Sequence, residues 1–166
     1  MDQQLLRQLY LQYHKELYLY LYSLCRDRAL TEDLLQETFL KALLALPDGH
    51  PNLRAWLYMV ARNLYFNERK HSARMILQEE VAPPGPPAPD VLEHMITDER
   101  HRALWRAMEG LDERKREILQ MQYFGGLAQR EIAAVLHLKP EYVRVLASRA
   151  RKELKQKLEE NGYDIS

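Results

Sequence analysis

Two segments of this 166-residue chain combine side chains that bind nucleic acids. Residues 54–74 interleave aromatic rings, amides and cations, a combination that holds single-stranded DNA by base stacking and phosphate neutralisation. Residues 130–157 gather eight lysines and arginines against three glutamates, and arginine side chains can bind guanine edges and phosphates. A solvated helix face is the alternative interpretation of either segment taken alone.

The sequence carries no motif of a catalytic site. It has no glycine-rich phosphate loop, no His-Glu-x-x-His motif and no nucleophile elbow, and its six histidines are scattered. Cys25 is the only cysteine, so neither an internal disulfide nor a thiolate metal cluster is expected, which fits a reducing compartment. We therefore expect a protein that is not an enzyme and uses no cofactor and no metal.

Charged residues also bear on location and partners. Arg7, Lys15 and Glu16 interrupt the Leu- and Tyr-rich N-terminal stretch before it reaches the roughly 20 apolar residues of a membrane span. We expect neither membrane insertion nor a signal peptide, with the cytoplasm as the default location. The formal net charge is zero, whereas nucleic-acid-binding proteins usually have a basic surface. The basic residues, however, concentrate in the two segments described above.

A proline-rich stretch divides the chain. VAPPGPPAPD places five prolines within seven residues, which excludes a helix and favours an extended connector over the alternative of a ligand for a recognition domain. Apolar residues recur at helical spacing on both sides of it, and no segment has the pattern of a strand. We predict an all-α fold of two small helical domains, residues 1–75 and 98–161, joined by an acidic, Pro-rich linker over residues 76–97.

Local signals predict several helix boundaries. Thr31, followed by two acidic residues, is a predicted N-cap, and Asn52 is predicted to cap the next helix. The first domain should hold three or four helices that end near Arg74. In the second domain we expect helices over residues 98–108 and 113–123.

The segment that begins at Gln129 has the pattern of a helix-turn-helix. His137 occupies the turn position that commonly takes glycine, and histidine tolerates the left-handed conformation better than most residues. The second helix should begin at Pro140, with Lys139 offering no side-chain cap. The predicted inner residues are Ile132, Ala133, Leu136, Leu138, Val143 and Leu146, with Ala133 at the close crossing. The predicted outward residues are Glu141, Tyr142, Arg144, Val145, Ser148 and Arg149, and the next turn adds Arg151 and Lys152.

At these residues the chain resembles a known family. The run LDERKREILQMQYFGGLAQREIAAVLHLKPEYVRVLASRARKEL is similar to region 4 of bacterial RNA polymerase sigma factors of the extracytoplasmic-function (ECF) group, in the sigma-70 family. One departure is Glu141-Tyr142-Val143, where the family usually has Gly-Thr-Val. RALTEDLLQETFLKALLAL is similar to region 2.2, and RAWLYMVARNLYFNERKHSAR is similar to regions 2.3 and 2.4. Together these matches cover most of the chain.

The resemblance implies an alternative sigma factor that binds core RNA polymerase and directs promoter recognition, DNA melting and transcription initiation. Residues 1–75 would dock on the polymerase and recognise and melt the minus-ten element, and residues 98–161 would recognise the minus-thirty-five element. The implied contacts with the clamp helices of the beta-prime subunit are Asp33, Gln36 and Glu37. The implied minus-ten contacts are Arg62, Asn63, Tyr65, Phe66, Asn67, Arg69, Lys70, His71 and Arg74, with residues 67–74 expected in a loop. The implied minus-thirty-five contacts are the eight outward residues from Glu141 to Lys152 given above.

The resemblance also implies further partners, and the residues leave two alternatives open. The resemblance implies a contact with the flap of the beta subunit, and the family often has an anti-sigma factor that covers the docking surfaces. An autonomous helix-turn-helix regulator with an N-terminal dimerisation or sensor domain is the main alternative. A helical adaptor that sequesters other proteins is the second, and it leaves both basic segments unexplained.

Overall fold

A computed structural model describes residues 3–45, 52–75 and 99–162, with the side chains of residues 72–75 and 99–101 excepted. Within these ranges the chain forms seven helices and no strand, which confirms the all-α prediction. The helices are α1 Gln3–Cys25, α2 Arg28–Ala45, α3 Leu53–Met75, α4 Glu99–Glu109, α5 Glu113–Tyr123, α6 Gln129–Leu136 and α7 Pro140–Glu160. They fall into two compact units, an N-terminal unit of α1 to α3 and a C-terminal unit of α4 to α7. The predicted linker lies outside the described residues.

The N-terminal unit is a three-helix arrangement in which each helix contacts the other two. Its centre is apolar and aromatic: Leu17, Leu21 and Leu57 are fully buried, and the rings of Tyr20 and Tyr58 lie 5.1 Å apart. Large side chains that are removed from water at helical spacing provide most of the stabilisation of such a unit. The three helices therefore hold the outer faces of α2 and α3 in fixed positions.

The beginning of α2 differs from the prediction. The carboxylate of Asp27 accepts a hydrogen bond from the Leu30 N–H at 3.1 Å, so Asp27 caps the helix. Thr31 is fully buried inside the first turns, where its hydroxyl donates to the Asp27 carbonyl at 2.7 Å. The prediction of Thr31 as N-cap is wrong because the hydroxyl bonds back to the preceding turn instead. The prediction for Asn52 is confirmed, since its side chain accepts the Ala55 N–H at 3.0 Å.

The helix α3 runs to Met75, which confirms that the helices of the first domain end near Arg74. Residues 67–74 continue this helix, so the loop that the resemblance implied there is wrong. No glycine or proline interrupts this stretch, so no residue in it breaks the helix. Any DNA contact from these residues would therefore come from a helix surface.

The C-terminal unit is organised around its longest helix, since α7 contacts α4, α5 and α6. Met108, Ile118, Ile132 and Val143, one from each helix, are at most 1% exposed. The predicted helix over residues 113–123 is confirmed, and Asp112 caps it by accepting the Lys115 N–H at 2.9 Å. The helix predicted over residues 98–108 runs over Glu99–Glu109, and residue 98 lies outside the described part of the chain.

Candidate nucleic-acid and polymerase interfaces

The helices α6 and α7 form the predicted helix-turn-helix. His137 has φ 57° and ψ 43°, the left-handed conformation expected at the turn, and its N–H donates to the Ala133 carbonyl. The Leu138 N–H donates to the same carbonyl at 2.9 Å, which closes the turn. The helix α7 begins at Pro140, and Lys139 provides no side-chain cap. Each of these features matches the prediction from sequence.

The inner and the outward residues of the helix-turn-helix differ sharply in exposure. Of the predicted inner residues, Ile132, Ala133, Leu136, Val143 and Leu146 are buried, and Leu138 is half-buried. The outward residues Glu141, Tyr142, Arg144, Val145, Ser148, Arg149 and Lys152 are all exposed. Apolar exposure here is large, with Tyr142 at 51% and Val145 at 39%. The face of α7 away from the core is thus open to a ligand over three turns.

Arg151 belongs to the predicted set but faces differently from the rest. Its side chain is half-buried, and its Nη1 donates to the Gln122 side chain on α5 at 3.2 Å. The guanidinium therefore ties α7 to α5 and retains only part of its donors for another partner. Sequence reasoning did not find Gln122, which fixes this orientation.

An ion pair removes one acidic charge from the surface of α7. The Lys115 ammonium donates a hydrogen bond to the Glu153 carboxylate, and this bond raises the pKa of Lys115. Asp112 lies 3.5 Å from the same ammonium. Because Glu153 is paired with a cation on α5, the outward face of α7 keeps its basic character.

A second surface lies on α3. Asn63, Asn67, Lys70 and His71 are exposed, as is Arg69. Exposed amides and cations on one helix are able to bind phosphates and base edges. Arg74 lies on the same helix, and its side chain lies outside the described residues.

The aromatic members of the α3 set form a packed cluster. The Arg62 guanidinium lies over the Phe66 ring, 4.7 Å from its centre, at a distance typical of a cation–π contact. Tyr65 packs edge-on against Phe66 with ring centres 5.2 Å apart, and its hydroxyl donates to the Leu24 carbonyl at 3.1 Å. All three side chains are half-buried. The structure therefore brings Arg62, Tyr65 and Phe66 together, with Tyr65 anchored to α1.

Arg54 has a structural contact. Its guanidinium donates to both carboxylate oxygens of Glu16, at 2.8 and 3.3 Å, and the Tyr58 hydroxyl donates to the same carboxylate at 3.2 Å. Burial raises the pKa of Tyr58 far above its ordinary value, and the nearby Glu16 charge adds to the effect. This cation of residues 54–74 thus links α3 to α1.

A third surface lies on α2. Asp33, Gln36 and Glu37 are exposed and line one groove. The other residues of the groove are Leu30, Leu34, Leu40 and Glu68. Sequence reasoning missed Leu40 and the neighbouring Leu44, which are 53% and 76% exposed. The sequence does contain a signal for their exposure, because both lie outside the buried helical stripe that contains Leu35 and Phe39.

The described part of the chain offers neither a membrane-spanning helix nor a metal-binding cluster. No helix there is both long and apolar enough to cross a membrane. Nor does any cluster of three or more His, Cys, Asp or Glu side chains in these residues suit a metal ion.

Comparisons with known proteins give a consistent result. The family model for sigma-70 region 2 matches residues 9–75, and the family model for sigma-70 region 4 matches residues 101–154. The ECF RNA polymerase sigma factor SigM of Bacillus subtilis (strain 168) is 26% identical over 155 residues, covering 89% of this chain and 91% of SigM. The ECF sigma factor SigL of Mycobacterium tuberculosis (strain ATCC 25618 / H37Rv) is 30% identical over 166 residues, covering 95% of this chain and 91% of SigL.

Solved structures share the fold. The sigma factor RpoE, in complex with the anti-sigma factor NepR from Bartonella quintana, has 24% sequence identity and a TM-score of 0.69, covering 92% of this chain and 96% of RpoE. CnrH, in complex with the cytosolic domain of CnrY, has 24% identity and a TM-score of 0.69, covering 97% of this chain and 92% of CnrH.

Proposed function

Since this chain belongs to the sigma-70 family and to its extracytoplasmic-function group, we propose how its surfaces divide the work of an alternative sigma factor. Such a factor binds core RNA polymerase and directs promoter recognition, DNA melting and transcription initiation. The observation that carries the proposal is that the segments matched to regions 2 and 4 expose separate docking and basic faces. The region 2 match also argues against an autonomous regulator with an N-terminal sensor domain.

The polymerase-docking surface is assigned to α2. Asp33, Gln36 and Glu37 combine two carboxylates with an amide on an exposed groove, and they suit a basic partner helix. Leu40 extends the same groove with an apolar side chain, which would supply desolvated contact area at the centre of an interface. The partner helices are the clamp helices of the beta-prime subunit.

The minus-ten surface is assigned to α3. Stacking and phosphate neutralisation together hold single-stranded DNA, and α3 offers exposed Asn63, Asn67, Lys70 and His71 beside the Arg62–Phe66 pair. Its remaining members are Tyr65, Arg69 and Arg74. Tyr65 would act by holding the Phe66 ring, because its hydroxyl is already bonded to α1.

The minus-thirty-five surface is assigned to the outward face of α7. The second helix of a helix-turn-helix enters the major groove with its N-terminal residues against base edges. Glu141, Tyr142, Arg144, Val145 and Ser148 occupy the first turns and are exposed. Arg149, Arg151 and Lys152 follow as basic side chains suited to phosphates. The C-terminal unit would also contact the flap of the beta subunit.

Two domains and a linker make up the whole chain in this proposal. The domains extend over residues 1–75 and 98–161, with residues 76–97 as the linker, and the C-terminal unit binds duplex DNA while the N-terminal unit binds the melted strand. The chain itself catalyses no reaction and acts in the bacterial cytoplasm. RpoE and CnrH were solved with NepR and with the cytosolic domain of CnrY, which supports an anti-sigma factor as an additional partner.

Charge reversal on α2 tests the docking assignment. Glu37→Arg should weaken binding to purified core RNA polymerase by at least about tenfold, because a like-charge contact replaces an attractive one. Run-off transcription from a responsive promoter should fall in parallel and recover at high protein concentration. The matched control is Glu159→Arg, an exposed glutamate in the last turn of α7. Equal core affinity of Glu37→Arg and the unchanged protein would overturn the assignment of α2.

A further inference from the structure

The order of the exposed side chains along α7 bears on which DNA bases this helix would prefer. With about 3.6 residues per turn, positions i, i+4, i+7 and i+11 of a helix lie in one line. Glu141, Val145, Ser148 and Lys152 have this spacing and are all exposed. This set, here called the central line, lies opposite the buried side of α7. A carboxylate and an apolar side chain thus occupy the part of α7 that a helix-turn-helix directs at the groove floor.

Cationic side chains flank the central line. Arg144 lies on one side of it and Arg149 on the other, because successive helical residues are rotated by about 100°, and both are exposed. A helix in the major groove has a phosphate backbone on each side, so flanking arginines suit phosphates. Glu141 and Val145, the N-terminal half of the central line, are then left to face the base edges, because the N-terminal residues of a recognition helix contact the bases.

The chemistry of Glu141 narrows the choice of base. Among the residues that the structure describes, none forms an ion pair with its carboxylate. A carboxylate only accepts hydrogen bonds, so it is repelled by the acceptor atoms of guanine and thymine in the major groove. Adenine offers a donor beside an acceptor, whereas cytosine offers its N4 amino group alone. Cytosine is therefore the base that fits.

Val145 complements this preference. It is 39% exposed one turn beyond Glu141, and its side chain has no hydrogen-bonding group. The C5 methyl of thymine is the apolar group that the major groove presents. Burial of the valine methyls against it removes apolar surface of both partners from water.

We propose that the duplex element bound by α7 contains a cytosine whose N4 amino group donates to Glu141, and a thymine beside it whose methyl contacts Val145. The proposal rests on the assignment of α7 to duplex promoter DNA. Its alternative is that Glu141 only stabilises the beginning of α7, where an acidic residue interacts favourably with the helix dipole.

Transcription from a promoter library distinguishes a base contact of Glu141 from a role limited to the helix dipole. The full-length protein and core RNA polymerase are supplied with promoters whose upstream element is randomised, and the templates that yield transcripts are sequenced. One position of the element should favour cytosine by roughly tenfold. Glu141→Gln should change the preferred base at that position to adenine, because an amide pairs with the N6 and N7 atoms of adenine. Val145→Ser should reduce the thymine preference at an adjacent position only.

Controls keep the outcomes distinct. Glu159→Gln, in the exposed last turn of α7, should leave every base preference unchanged, and circular dichroism compares the folding of all variants. Unchanged base preferences in Glu141→Gln, or an element without a cytosine that depends on Glu141, would overturn the proposal and leave the helix-dipole role. Silence of the unchanged protein on every template would overturn the proposed function itself, and this proposal with it.

Discussion

At the scale of single residues, the buried polar side chains differ in whether the fold provides them with a hydrogen-bond partner. Glu16, Arg54 and Tyr58 satisfy one another between α1 and α3, so their polar atoms are bound within the fold. Tyr18 is a different case, because its hydroxyl is buried with no hydrogen-bond partner among the described residues. A buried polar group without a partner lowers stability. Removal of the hydroxyl should therefore have opposite effects on the stability of the protein at Tyr18 and at Tyr58.

Tyr18→Phe should leave the free energy of unfolding at pH 7 unchanged or raise it by up to about 1 kcal/mol. The substitution retains the buried ring and removes only the hydroxyl that has no hydrogen-bond partner. Tyr58→Phe is the matched control and should lower the free energy of unfolding by about 1 kcal/mol, since it removes the bond to Glu16. Urea denaturation of both variants measures the difference. A loss of stability in Tyr18→Phe as large as in Tyr58→Phe would contradict the account of Tyr18.

The raised pKa of Tyr18 predicts that the stability of the protein depends on pH in the alkaline range. Burial raises the pKa of Tyr18 from 10.0 to about 12, with a contribution from Glu32. The folded state then holds this proton more tightly than the unfolded state, so titration of Tyr18 leaves the free energy of unfolding unchanged below pH 10.0 and lowers it as the pH rises from 10.0 towards about 12. Tyr18→Phe should accordingly lose less stability than the unchanged protein when urea denaturation is repeated through this range. Equal losses would contradict the raised pKa.

At the scale of elements, local signals predicted those boundaries that depend on neighbouring residues. Asn52, His137 and Pro140 were predicted correctly, because a cap, a turn and a helix start each involve residues close in sequence. Arg54 and Arg151 were harder, since their partners lie 38 and 29 residues away in the chain. Sequence periodicity identifies the outward face of a helix, but it does not identify which outward side chain a neighbouring helix binds.

The cap of α2 can be tested directly. Asp27→Ala should lower the free energy of unfolding of the protein by about 1 kcal/mol, because the Leu30 N–H loses its side-chain acceptor. Asp27→Asn retains an acceptor oxygen and should recover most of the loss. Chemical denaturation followed by circular dichroism measures both. If the alanine and asparagine variants were equally stable, Asp27 would not be acting as the cap.

At the scale of the whole molecule, the net charge of zero is compatible with the two proposed DNA-binding faces because the charges are distributed unevenly. Basic residues lie on α3 and on the outer face of α7, whereas acidic residues form the exposed set on α2. Low net charge limits non-specific attraction to DNA. We therefore expect weak binding to duplex DNA by the protein alone and specific binding when the polymerase holds both units at a promoter.

The origin of transcripts tests this account most directly. Core RNA polymerase, the purified protein and a library of random promoter fragments are combined, and the 5′ ends of the transcripts are sequenced, with core alone and protein alone as controls. Start sites that require both components and share two spaced sequence motifs are the predicted result. A silent core polymerase that forms no complex with the protein, together with a shift of duplex DNA by the protein alone, would contradict it.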